Sequence, residues 1–83
     1  MNREPILHEG ERYLSLEVVA EIYQVRAVVL REVYERGLLG EGLTHDSTVC
    51  IATLALDRVA TIVRLHEVHG LDPDAIAAHL GAD

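Results

Sequence analysis

Few side chains in this sequence are spaced for chemistry. His66-Glu67-Val68-His69 carries the residue types of a zinc-protease helix. Such a site needs its two imidazoles at i,i+4, one helical turn apart, with the glutamate as base. Here they fall at i,i+3, and no third ligand has a recognisable spacing. Ordinary helix-surface or core-edge histidines are the expectation, with His69 suited to the negative end of its helix. His45-Asp46-Ser47 contains the types of a hydrolytic triad, but adjacency along the chain does not build that geometry, and a polar turn is expected. Gly37, Gly40 and Gly42 lack the spacing and the following lysine of a phosphate loop. Cys50 sits in the apolar run 49–56 and reads as a buried small hydrophobe rather than a reactive thiol. No catalytic residue, metal site or cofactor is expected, and no enzyme.

Charge is the more informative property. Fourteen acidic residues face seven arginines and no lysine, for a net charge of −7. Nucleic-acid affinity rests largely on neutralising phosphates with cations, so this balance argues against nucleic acid and suits a basic protein partner. Solubility alone is the bland account of the same charge.

These side chains need elements to hold them. The 83 residues make one domain, 1–83. The hydrophobic share of 49% and charged share of 25% are those of a globular chain. A core this small buries roughly 60–65% of its chain surface, so a second copy or a partner is expected to complete it. No apolar run reaches a membrane-spanning length, and the first residues lack a signal-peptide core, so a cytoplasmic location is expected.

The first fourteen residues read as a short strand or turn leading into a helix. Ser15 is a good N-cap, and Leu16, Val19, Ala20 and Tyr23 form one helical face, predicting a helix over 16–23. After a turn at 24–26, Val29, Leu30, Val33 and Tyr34 predict a second helix over 27–36. Gly37 ends it, with Leu38 in apolar contact. Arg31 and Glu35 are spaced as an i,i+4 pair. A hairpin, or wing, is expected between 39–44 and 48–56. Asp57 is placed as the cap of a third helix over 58–69, whose core candidates are Val59, Ile62, Val63 and Val68. Asp72 and Pro73 then start a short fourth helix that buries Ile76, Ala77 and Leu80. The predicted class is mainly α: a winged helix-turn-helix with a small β-hairpin wing and a second helix-turn-helix pair.

That order resembles MerR-like regulators. The likeness rests on Ser15 to Tyr23, on Tyr34-Glu35-Arg36-Gly37-Leu38-Leu39, on Val63-Arg64-Leu65 and on Gly70-Leu71-Asp72-Pro73. Within that superfamily, Leu56-Asp57, Val63-Arg64-Leu65-His66, Gly70-Leu71-Asp72 and Ile76-Ala77 look like CbpM-type chaperone modulators. The resemblance implies a non-catalytic protein that binds the J-domain of a DnaJ/CbpA-type cochaperone and regulates its action on DnaK. CbpM-type chains continue into a further C-terminal helix, whereas this sequence stops at Asp83, so pairing through that helix is not expected. The same departure weighs more heavily against a true MerR regulator, which pairs its DNA half-sites through that helix.

J-domains present a basic helix, so the partner-binding candidates are Glu17, Glu21, Glu32, Glu35 and Glu41, with plain solvation as their alternative. Asp72 and Asp74 are read as helix caps. The alternative function is a minimal DNA-binding regulator reading bases through Arg26, Arg31 and Arg36. Residues 24–36 carry those three arginines against Glu32 and Glu35, only +1. The wing segment has no arginine to clamp phosphate. A third reading is a generic interaction module.

Overall fold

The computed structural model describes residues 4–81. Two hairpins with two-residue turns begin the account. Strand β1 (Ile6–His8) turns at Glu9-Gly10 into β2 (Glu11–Ser15), and both turn residues have positive φ, 52° and 82°. Strand β3 (Leu43–His45) turns at Asp46-Ser47 into β4 (Thr48–Ala52), again with positive φ at both, 51° and 64°. Positive φ at both central residues matches the turn to the right-handed twist of the flanking strands, which makes such loops the tightest hairpin connection.

The two hairpins then join. Strand β2 pairs antiparallel with β4, Tyr13 opposite Ala52 and Ser15 opposite Cys50, giving one four-stranded sheet in the order β1-β2-β4-β3. This overturns the expected mainly α winged helix-turn-helix. The segment read as a strand or turn before the first helix is a full hairpin. The supposed wing is half of a sheet, and the protein is a small α/β fold. The pairing that decides this links residues far apart in sequence, so no local periodicity reports it.

Ser15 does two jobs. It is the last residue of β2, and its hydroxyl accepts a hydrogen bond from the Val18 amide at 3.1 Å, capping α1 (Leu16–Tyr23). The chain leaves α1 through Gln24, held left-handed at φ 56°, while the Val25 amide donates back to the Ala20 carbonyl. Helix α2 (Ala27–Glu35) ends at Gly37, φ 79°, with the Leu38 amide donating to the Val33 carbonyl as expected for a glycine-terminated helix.

After β4 a single 3-10 turn, Thr53–Ala55, leads into α3 (Leu56–Glu67). The helix thus starts two residues before the expected point. Asp57 is not its cap: Ala55 holds that position without a side-chain bond, and Asp57 lies in the first turn, where it favours the helix dipole. The start of α4 (Pro73–Leu80) is as expected, with an Asp72 carboxylate oxygen accepting from the Ala75 amide at 2.8 Å.

One core cluster unites these elements. Leu14 and Ile51 face each other across β2 and β4 and share a cluster with Leu16 and Val19 of α1 and Leu30 and Val33 of α2. Val59, Ile62 and Ile76 complete it from α3 and α4. Val63, Ala77 and Leu80 are half-buried. Val68 is a miss: it lies past the end of α3 and is 70% exposed. The hydroxyl of Tyr23 donates to the Leu56 carbonyl at 3.2 Å, tying α1 to the start of α3. Gly42 lies so close beneath Tyr34 that a Cβ there would stand 2.6 Å from both the Tyr34 hydroxyl and the Cys50 carbonyl.

Candidate functional site

The outer face of the α1–α2 pair gathers most of the predicted residues. Positions 17 and 21 are one turn apart on α1, and 28, 31, 32 and 35 recur at i, i+3, i+4, i+7 on α2, so each set shares a helix face. The two rows meet where Arg31 Nη2 lies 3.1 Å from Glu17 Oε2. Arg31 therefore pairs across the helices instead of with Glu35 on its own helix. The second oxygen of Glu17 is buried without a hydrogen bond.

Glu21 and Glu35 are exposed, and Glu32 is half-buried. Val28, on the α2 row, exposes 46% of its surface, and Ile22, about 100° round α1 from Glu21, exposes 56%. Glu41 is exposed in the connection after α2, off the helical rows. The rows thus hold Glu17, Glu21, Glu32 and Glu35 against the single cation Arg31.

The arginines proposed for DNA are largely engaged inside the molecule. Arg36 donates to Asp74 at the start of α4, Nε at 3.0 Å and Nη2 at 2.5 Å, and through Nη1 to the Glu32 carbonyl at 3.0 Å. The Asp74 hydrogen bond pushes the Arg36 pKa up, desolvation opposes it, and the charges of Asp74, Glu32 and Asp72 add to the rise. Arg26 sits at the start of α2, where it caps through backbone alone and is exposed. Guanidinium groups already bonded to carboxylates must break those bonds before they can read a base edge.

Asp74 is a residue the sequence reading misplaced. Asp72 alone provides the cap, while Asp74 clamps α4 to the end of α2. Thirty-eight residues separate it from Arg36, so nothing local signals the contact.

His66 Nδ1 lies 2.9 Å from the Leu71 carbonyl and bridges the turn between α3 and α4. His69 lies beyond the end of α3. Among the described residues no three histidine, cysteine or acidic side chains are grouped to hold a metal. His45 and Asp46 pair at 3.5 Å on the tip of the β3–β4 hairpin, with Ser47 in the turn itself.

Cys50 is 1% exposed, as the buried reading expected. Desolvation first, and then the Glu17 charge, push its thiol pKa up, the opposite of an activated thiolate. An open pocket beside it is lined by Glu4, Ile6, Ser15, His45, Asp46 and Thr48. No helix among the described residues is long and apolar enough to cross a membrane.

Comparison with protein-family models, with curated proteins and with solved structures returned no match.

Proposed function

We propose that this protein is a non-catalytic chaperone modulator that binds the J-domain of a DnaJ/CbpA-type cochaperone and so regulates its action on DnaK. The observation carrying this reading is the outer face of α1 and α2. Four glutamates and the exposed Val28 lie along it, and its one arginine is already paired with Glu17. A basic helix finds there both opposite charge and apolar area. Charge complementarity of this kind speeds encounter and sets register, while buried apolar anchors supply affinity. The modulator acts by covering the basic helix, so no bond is made or broken. The stretches that look like CbpM-type modulators support the same reading from the sequence side.

The test is the double reversal Glu32→Arg/Glu35→Arg, titrated calorimetrically against the J-domain encoded in the same genome. Glu9→Arg/Asp46→Arg, at the exposed tips of the two hairpins, is the charge-matched control. The double variant is expected to weaken binding by at least about tenfold while the control binds normally. Unchanged affinity in the folded double variant removes this face from the interaction.

A further inference from the structure

The joining of the two hairpins builds a cavity that neither makes alone. Side chains directly opposite in an antiparallel pair share a sheet face, as do those two apart along a strand. Ser15 lies opposite Cys50, Thr48 opposite His45, and Ile6 opposite Tyr13, two residues before Ser15. Ile6, Ser15, His45, Thr48 and Cys50 therefore share one face. Leu14 and Ile51 lie on the other, within the core. With Glu4 and Asp46, the five side chains line an open cavity of about 340 Å³ on the face turned away from that core. That volume lies at the lower end of the range for small-molecule sites.

The lining divides by chemistry. Its floor is closed, with Cys50 1% and Ser15 7% exposed and Ile6 half-buried. The buried thiol and Ile6 offer an apolar base. Ser15 adds one polar group to it. The Ser15 hydroxyl oxygen accepts from the Val18 amide, and no acceptor for its own proton lies among the described residues. A buried donor left without an acceptor is costly, so this proton is free to bond an oxygen atom that enters the cavity. Thr48 and Cys50 spend theirs on backbone, Thr48 Oγ1 on the Asp46 carbonyl at 3.4 Å and Cys50 Sγ on the Thr48 carbonyl at 3.8 Å. The rim carries the charge. Glu4 and Asp46 are exposed there, and the His45 imidazole lies 3.5 Å from the Asp46 carboxylate. Among the described residues no arginine lines the cavity.

We propose that this cavity binds a small organic ammonium ion with an apolar body and an uncharged oxygen, an amino alcohol in its simplest form. The ammonium group meets the carboxylates of Glu4 and Asp46. The oxygen accepts from Ser15, and the apolar body covers Ile6 and Cys50. An anion in the same place faces two like charges. The proposal stands independently of the J-domain reading, whose helical glutamates lie on α1 and α2.

Amide NMR titration tests it with three probes that share one branched tail. Leucinol carries an amine and a hydroxyl, isohexanol only the hydroxyl, and isocaproate a carboxylate. At low salt leucinol is expected to bind saturably in the millimolar range, with shifts centred on Ile6, Ser15, Thr48 and Cys50. Isohexanol and isocaproate are expected to bind at least about fivefold more weakly. Glu4→Gln/Asp46→Asn neutralises the rim at two exposed positions, and asparagine tolerates the positive φ of Asp46. This variant is expected to hold leucinol no better than isohexanol. Shifts that spread over the surface without saturating mark an adventitious additive only and overturn the proposal. Equal affinity for the three probes overturns it too, as does leucinol binding unchanged by the double substitution.

Discussion

The outer faces of α2 and α3 share the same helical spacing and differ in charge order. On the α1–α2 side one arginine stands among four glutamates, and the two arginines nearest the site end on carboxylates of this same chain. On the exposed side of α3 two acids, Asp57 and Glu67, balance two arginines, Arg58 and Arg64. The first pattern is complementary to something basic, and the second carries no surplus of either sign. Charge balance, rather than apolar content, separates the two faces.

The comparison assumes that both faces are carried rigidly on one core. Gly42→Ala breaks that assumption hardest. The new Cβ would stand 2.6 Å from the Cys50 carbonyl and from Tyr34, so either β3–β4 or α2 must move. A loss of about 1–3 kcal/mol is expected by thermal or denaturant unfolding. J-domain affinity should fall as well, because Tyr34 belongs to α2.

The caps sharpen the comparison at a smaller scale. Ser15→Ala frees the Val18 amide at the start of α1, and Asp72→Ala frees the Ala75 amide at the start of α4. Each is expected to cost about 1 kcal/mol. The two losses should add within about 0.5 kcal/mol in the double variant, as distant sites do. Strong non-additivity in chemical denaturation would mean that the two helix pairs do not behave as separate regions of one folded unit.

The smallest expected effect is on stability and the most telling on charge. Arg31→Gln removes the only cation from the acidic rows. The pair it breaks is partly exposed, so stability changes by at most about 1 kcal/mol. Binding to a basic J-domain should tighten at low salt and return toward wild type as salt rises. A DNA-binding protein would lose affinity for duplex instead, so gel shift and J-domain titration of this variant point in opposite directions.

Much of the helical half was legible because its signals are local. Ser15 before an apolar i, i+3, i+4, i+7 row marks α1 to the residue, Gly37-Leu38 marks the end of α2, and Asp72-Pro73 marks α4. The β3–β4 hairpin was expected as a wing, but the first hairpin and the joining of the two into a sheet were not legible. Leu7 lies 72% exposed on an edge strand, and β2 opens with Glu11 and Arg12, so neither segment shows a run of buried apolar residues. β1 pairs only with β2, and the pairing of β2 with β4 that makes the sheet is long-range. The same limit applied to the site. Which acids share a helix face follows from spacing, but the bonds from Arg31 to Glu17 and from Arg36 to Asp74 depend on how the helices pack.

Calorimetric titration of the wild-type chain with the J-domain, at two salt concentrations, addresses the central claim most directly. Saturable binding that weakens with salt, beside no measurable retention of duplex DNA, is the predicted result. A chain that leaves the J-domain untouched and retains duplex DNA under the same conditions contradicts it.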